Sequence, residues 1–234
     1  MENKKQIMGL SRLSFAIFVL CVLFLVGAAL SLVFFHDDHA AVSRVAFQMF
    51  EVVLMILVIF LPKMLKSVAD IKVPAVMDFG FVFFCFGSLI LGDVVDFYGK
   101  YEWWDALQHG ISGILLGILG YAIINLFNTL EGNKIRYTPI FVAVWVVCFA
   151  LSIGAMWEIV EFITDGLFGL NSQQFLEGSG TFDNAAPLMG HEALRDTMED
   201  LMLDFAGSFI VAVVGYFDLK KQRNVLLSFV ENMK

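Results

Sequence analysis

Long apolar runs recur six times along the chain and are separated by polar stretches. A helix needs about 20 apolar residues to cross the roughly 30 Å hydrocarbon layer of a bilayer, and these runs approach or exceed that length. We therefore predict an all-α protein, a polytopic bundle of six transmembrane helices that forms one domain over residues 1–234. The predicted spans are 13–35, 45–61, 75–93, 105–127, 138–163 and 197–217.

Prolines and glycines refine this picture. The prolines at 62, 74 and 139 are predicted at helix ends, where a missing backbone amide is tolerated. The fourth span carries a ladder of glycines and the sixth is also rich in small residues, a pattern that lets transmembrane helices approach closely. The ladder consists of Gly110, Gly113, Gly117 and Gly120. We expect the fourth and sixth helices to be central in the bundle.

Composition and charge agree with a membrane protein and suggest its orientation. Hydrophobic residues make up 59% and charged residues only 16% of the chain, whereas soluble domains carry about a quarter charged residues. Positively charged loops stay in the cytoplasm, and a cytoplasmic N-terminus places 12 of the 15 basic residues inside and 17 of the 23 acids outside. Both termini are therefore predicted to be cytoplasmic, and the net charge of −8 suits cations rather than nucleic acid.

Acidic residues and a histidine cluster where three predicted helices reach the outer side. Residues three or four apart share one face of a helix, and the fourth, fifth and sixth spans each carry such a polar stripe. The stripes are Asp105 and His109; Glu158, Glu161 and Asp165; and Asp196, Asp200 and Asp204. Ionisable groups in hydrocarbon are costly and indicate a functional site, so we expect the three stripes to share one pocket.

A divalent metal ion is the expected partner of these acids, because few basic residues lie near them. Carboxylates with histidine suit zinc, manganese or iron, and oxygen ligands alone suit magnesium. The predicted ligands are Asp105, His109, Glu161, Asp165, Asp200 and Asp204. Glu158 and Asp196 are predicted catalytic carboxylates, and Arg195 is a predicted contact for an anionic group.

A purely structural alternative stays open for two of the acids. Asp105 and Asp196 lie at predicted helix N-termini, where capping and the helix dipole stabilise negative charge. The same explanation does not apply to Glu158, Glu161 and Asp165, which lie near a helix C-terminus.

Two further segments bear on the site. The outer loop 166–195 is longer than a helix connection needs and is typical of a lid or binding loop. Ser112 lies in a Gly-x-Ser-Gly sequence that resembles the motif of rhomboid proteases. Because the sixth span has no histidine to activate a serine, we assign Ser112 to helix packing.

The set Asp105-x-x-x-His109, Glu158-x-x-Glu161 and Asp196-Thr197-x-x-Asp200-x-x-x-Asp204-x-x-Gly207 resembles the YjdF-type family of uncharacterised bacterial inner-membrane proteins. The resemblance covers about residues 105–215. It implies a polytopic helical protein in the bacterial inner membrane and supplies no activity. Around the Asp-Thr pair, Leu194, Arg195 and Met198 replace the aromatic residues expected for the family.

These patterns leave three hypotheses for function. The first is a metal-dependent hydrolase or transferase that acts at the outer leaflet on a lipid-linked or phosphate-bearing substrate. The second is a divalent-cation or proton-coupled transporter, which would also need polar residues in the inner half of the membrane. The third is a non-catalytic sensor or membrane partner that binds a cation. Membrane lipids and a small-molecule or lipid substrate are the expected partners, nucleic acid is not, and homo-oligomerisation is left open.

Overall fold

The computed structural model describes residues 10–34, 39–69, 75–129, 137–178, 186–223 and 225–226. Its helices are α1 (Arg12–Phe34), α2 (His39–Ala69), α3 (Ala75–Cys85), α4 (Phe97–Lys100), α5 (Trp104–Thr129), α6 (Pro139–Phe168) and α7 (Arg195–Lys220). A π-helical stretch, Phe86–Val94, continues α3, and a 3-10 turn, Glu192–Leu194, precedes α7. Six helical stretches are long and apolar enough to cross a membrane. The predicted all-α fold with six spanning helices is confirmed.

Of the three prolines predicted at helix ends, two lie within the described residues. Pro62 lies inside α2, so its prediction as a helix end is wrong. A proline removes one backbone hydrogen bond, and strong helix formers such as Lys63 and Lys66 follow it in the same helix. Pro139 does begin a helix, behind an N-cap in which the Thr138 hydroxyl accepts a hydrogen bond from the amide of Phe141 at 3.3 Å. The proline at 74 lies outside the described residues.

The chain divides into two compact units. The first comprises Met1–Val73 and Phe81–Asp96, and within it α1 packs along α2. Phe18 and Phe60 meet edge to face with ring centroids 5.4 Å apart, and Met55 is fully buried. Apolar side chains therefore form much of the packing between α1 and α2.

The second unit comprises Pro74–Gly80 and Phe97–Lys234 and contains α5, α6 and α7. Its apolar core lies where the C-terminal halves of α5 and α7 pack on the N-terminal half of α6. Tyr121, Ile124, Val142, Val146, Val211 and Ala212 form this core. Close approach of α5 and α7 depends on the predicted glycines, because a Cβ on Gly117 would lie 3.2 Å from the Cα of Ser208. Within the second unit, α5 and α7 form the most extensive helix pair, and their central position in a six-helix bundle stays a prediction.

Burial in this unit is inverted relative to a water-soluble protein. Large apolar side chains such as Met156, Phe162 and Phe209 are exposed, whereas Asp200 and Asp204 are only 3% and 1% exposed. An apolar exterior suits lipid, and ionisable groups in transmembrane segments face the bundle interior. The acids therefore lie between the helices, at the end of the unit opposite the apolar core.

Candidate functional site

His109 on α5 lies at the centre of the buried polar cluster. Its Nε2 atom is 3.7 Å from Oδ1 of Asp105, one turn earlier on the same helix, and 3.8 Å from Oδ2 of Asp200 on α7. Its Nδ1 atom is 3.5 Å from Oδ2 of Asp204. The i, i+4 spacing on both helices therefore brings one polar stripe of α5 against that of α7, as predicted.

The two ring nitrogens of His109 have different surroundings. When Nδ1 carries the proton it donates to Asp204, and Nε2 then presents its lone pair to Asp105 and Asp200. A carboxylate that fixes the tautomer in this way is the usual second partner of a metal-binding histidine. Asp204 thus lies beside Nδ1, where it can orient the ring, and its predicted role as a metal ligand stays a prediction.

The side chain of Asp204 is contacted by two residues of α5, His109 and Ser112. The Ser112 hydroxyl lies within hydrogen-bonding distance of Oδ1 of Asp204 and also of the carbonyl oxygen of His109, at 2.8 Å from the latter. A hydroxyl has one proton to donate, so Ser112 serves one of these acceptors at a time. Ser112, predicted only to pack, therefore contacts the polar cluster.

Three glycines allow the helices to approach closely around Asp204. A Cβ on Gly154 of α6 would collide with Oδ2 of Asp204, and one on Gly113 of α5 would lie 2.5 Å from its carbonyl oxygen. On α7, a Cβ on Gly207 would lie 2.7 Å from the carbonyl oxygen of Gly110. Backbone approach on both sides of Asp204 therefore requires residues without a side chain.

Helix α6 adds Glu158, which is bonded to α7 and to the following loop. Its Oε2 atom accepts a hydrogen bond from the Thr197 hydroxyl at 2.8 Å and lies 3.3 Å from Nε2 of Gln173. Glu161, one turn later, accepts from the indole nitrogen of Trp157 at 2.8 Å and is an electrostatic neighbour of Glu158 and Asp105. Stripes from all three helices are thus brought together.

The loop after α6 covers these acids with two glutamine side chains. Gln173 donates to Glu158 and lies 3.1 Å from the Thr197 hydroxyl, and Gln174 donates to Oδ2 of Asp105 at 3.1 Å. The bond from Gln174 leaves Oδ1 of Asp105 facing His109. Of the predicted lid, 166–195, the structure describes residues 166–178 and 186–195, and the remainder, 179–185, lies outside the described residues.

Asp165 and Arg195 lie elsewhere. Helix α6 ends five residues beyond the predicted position, at Phe168, which leaves Asp165 in its last turn. The two carboxylate oxygens of Asp165 accept backbone N–H bonds from Ser172 at 2.8 Å and Gln173 at 3.0 Å. The Arg195 side chain is 62% exposed and pairs with Glu199 and Glu192. The metal-ligand role of Asp165 and the anion-binding role of Arg195 stay predictions, without support from these contacts.

Within the described residues of the second unit, three buried carboxylate oxygens have no hydrogen-bond partner: Oε1 of Glu158, Oδ2 of Asp196 and Oδ2 of Asp200. Asp196 is an electrostatic neighbour of Asp105 and Glu158, so these oxygens belong to one cluster. Buried charge is strongly unfavourable unless it is paired or binds a metal, and His109 is the one basic side chain within this cluster as described.

The spacing of the ligand atoms fits a single divalent cation. One atom each from Asp105, His109 and Asp200 lie within 4.8 Å of one another. With bonds of about 2.1 Å, neighbouring ligands of a tetrahedral ion lie about 3.4 Å apart and opposite ligands of an octahedral ion about 4.2 Å apart. The two distances from Nε2 of His109, 3.7 Å to Asp105 and 3.8 Å to Asp200, lie within that range.

Four residues of this cluster were not predicted as site residues: Gln173, Gln174, Thr197 and Ser112. Thr197 was visible only as part of the Asp-Thr pair, one residue after Asp196. The glutamines come from an irregular loop, which has no periodicity to reveal the direction of its side chains.

This fold and cluster define a multi-pass helical membrane protein with a buried carboxylate–histidine group. Residues 16–221 match the family described as predicted membrane protein (DUF2238), and this chain belongs to that family. Its expected membership in an uncharacterised family of membrane proteins is confirmed, and the YjdF-type label stays a prediction.

One curated relative is an uncharacterized protein of Thermotoga maritima, 25% identical over 130 residues, or 54% of this chain and 55% of the relative. The chain thus spans about half the length of that relative. No solved structure matches the chain.

Proposed function

We propose that Asp105, His109 and Asp200 bind a divalent cation, and that the protein is a metal-dependent membrane hydrolase or transferase. The observation that carries this proposal is the division of contacts around His109. Asp204 contacts Nδ1 of His109, and Gln174 donates a hydrogen bond to Oδ2 of Asp105. The other ring nitrogen of His109, Nε2, faces Oδ1 of Asp105 and Oδ2 of Asp200. In metal sites, hydrogen bonds of this kind, made to the ligand atoms that do not bind the metal, hold the ligands in position.

A divalent cation bound there would supply Lewis-acid chemistry, by lowering the pKa of water or polarising a phosphoryl or carbonyl oxygen. The chain supplies the proton acceptor. Oε1 of Glu158 is buried and has no partner among the described residues, whereas Oε2 is fixed by Thr197. A carboxylate with one oxygen anchored and one available suits a general base. Asp196, with its own available oxygen, is the second candidate.

The distribution of buried polar groups favours a one-sided site over the transport alternative. A second polar group, Tyr121 with Asp218, lies at the other end of the α5–α7 pair. The carboxylate of Asp218 already has hydrogen-bond partners, because its oxygens accept backbone N–H bonds from Val225 at 2.8 Å and Leu226 at 3.1 Å. Between Ser208 and Asp218, the buried residues of α7 are Val211, Ala212 and Gly215. This stretch offers an ion or proton no side-chain ligand.

A cation-binding sensor is the second candidate, and the glutamine contacts of the loop favour it. Because Gln174 bonds Asp105 directly, a change at the metal ligands would alter the loop conformation. An enzyme and a sensor would share the cation site and differ in turnover.

We further propose that the site faces the extracytoplasmic side of the membrane. The basic residues support cytoplasmic termini and an extracytoplasmic cluster in a bacterial inner membrane. A lipid-linked or phosphate-bearing substrate at that surface would meet the acids from the outer leaflet.

Metal analysis of the purified protein tests the cation site. We expect the full chain in detergent to retain a stoichiometric divalent ion, and Asp200→Asn to lose it. Glu199→Gln is the matched control, because Glu199 is an exposed carboxylate one residue away that pairs with Arg195. Wild-type protein without stoichiometric metal after supplementation with zinc, manganese, iron or magnesium would refute the site.

Turnover separates the enzyme from the sensor. The metal-loaded protein is mixed with bis(p-nitrophenyl) phosphate or with phosphatidic acid in detergent micelles, and product release is followed. Glu158→Gln should retain the metal and lose activity by about 10²- to 10⁴-fold, the range for a general base. Metal binding without turnover of either probe would instead support the sensor.

A further inference from the structure

A separate apolar groove runs along the seam between α6 and α7. It has a volume of about 370 Å³, and its accessible lining surface is apolar. Lining residues include Val144 and Cys148 on α6 and Phe209, Val213 and Phe217 on α7. All belong to stretches that are long and apolar enough to span a membrane, and the apolar lining suits hydrocarbon rather than water.

Two lysines lie at the α7 C-terminal end of this groove. Nζ of Lys220 lies 5.4 Å above the ring of Tyr216 and donates to its hydroxyl at 3.3 Å. Nζ of Lys221 lies 5.6 Å from the ring centroid of Phe217. Both rings line the groove, so the ammonium groups are held over its end by cation–π contacts.

Neither ammonium group has a carboxylate partner in the part of the chain that the structure describes. The nearest acid in sequence, Asp218, is occupied by Tyr121 and by two backbone amides. Each ammonium has three donors, and the contacts of Lys220 use one of them. The groove therefore ends in two positive charges with free hydrogen-bond donors.

The charges at the end of the groove favour an anionic lipid over a helix as its occupant. A hydrocarbon chain suits the apolar lining, and a lipid phosphate beside Lys220 and Lys221 would accept hydrogen bonds from their free donors. Basic sites between transmembrane helices on the cytoplasmic side commonly bind anionic lipid head groups, and this end of α7 is predicted to be cytoplasmic.

We propose that the α6–α7 groove binds one hydrocarbon chain of an anionic phospholipid, with the lipid phosphate against Lys220 and Lys221. The site is independent of the metal proposal, because it uses other residues at the other end of the helices. It is a lipid contact that would stabilise the seam between α6 and α7.

Native mass spectrometry of the full chain in detergent tests this proposal. The protein is titrated with phosphatidylglycerol and with phosphatidylcholine of the same acyl chains, and we expect tighter binding of phosphatidylglycerol. Each lysine near a membrane surface contributes about fivefold, so Lys220→Gln with Lys221→Gln should weaken phosphatidylglycerol about 30-fold. The control pair is Lys63→Gln with Lys66→Gln, two exposed lysines at the end of α2.

A second variant tests whether the groove binds the hydrocarbon chain of the lipid. Val144 is 55% exposed, so Val144→Trp fills the groove without entering the core and should weaken both lipids. Equal affinity of wild type for the two lipids, or unchanged phosphatidylglycerol binding in either groove variant, would overturn the proposal. So would a disulfide-linked dimer that forms through Cys148 and is absent from Cys148→Ser, since a second copy would then occupy the groove.

Discussion

Substitution of Gly154 by alanine perturbs the candidate site without changing a polar group. The added Cβ would overlap Oδ2 of Asp204. Asp204 has little room to move, because it is 1% exposed and Gly113 of α5 lies against its backbone. Either the carboxylate rotates away from His109, or α6 shifts away from α7.

The size of the effect follows from two opposing terms. Alanine gains about 1 kcal/mol over glycine in helix propensity, whereas overpacking a closed interior costs about 1–3 kcal/mol. We therefore expect a net loss of stability between zero and about 2 kcal/mol. The loss in cation affinity should be larger, about 10- to 100-fold, because the contact that orients His109 at 3.5 Å is removed.

Calorimetric titration of the purified protein with zinc or manganese measures this loss, and thermal unfolding without metal measures stability. Gly166→Ala is the matched control, since the same change in the same helix meets open space. Asp204→Asn, which preserves shape, should weaken the cation by a similar factor. If Gly154→Ala binds the cation as tightly as Gly166→Ala does, the assignment of Asp204 as the residue that orients His109 is wrong.

Three further outcomes are expected. Gln174→Ala should weaken cation binding about tenfold and speed hydrogen exchange in the loop, because it removes the bond to Asp105; Gln222→Ala is the control, since Gln174 and Gln222 share a positive φ, 45° and 53°, and equal effects would show a backbone cause. Cation affinity should fall as pH is lowered, because carboxylates and histidine bind metal only when deprotonated, and His109→Ala should flatten that dependence; an affinity independent of pH would contradict ligation by these groups. Asp165→Asn should lower stability by about 1–3 kcal/mol, since one of its two backbone amide bonds is lost, with cation binding retained; metal loss with intact stability would return Asp165 to the ligand set.

Helical periodicity accounts for the part of the site that the sequence predicted. Asp105 and His109 on α5, and Asp200 and Asp204 on α7, are each four residues apart, and this spacing alone puts each pair on one face. Which atom faces which partner depends on packing. The carboxylate of Asp204 lies so close to α6 that position 154 has no room for a Cβ, and no periodic pattern encodes that contact.

The contacts of Asp165 depend on where helix α6 ends. The predicted end at 163 left it just beyond the helix, grouped with Glu158 and Glu161 by spacing. In the structure α6 continues to Phe168, and Gly169 ends it with a left-handed φ of 65°. The chain then turns back so that its amides reach the carboxylate of Asp165, which is a tertiary consequence of where the helix stops.

The pairing of His109 with Asp204 joins residues 95 positions apart. At typical synthesis rates of about 5–20 residues per second, α5 is complete for roughly 5–20 s before its partner on α7 emerges from the ribosome. During that interval the histidine and Asp105 have no α7 acids beside them. The three helices can therefore assemble around His109 only after α7 has been synthesised.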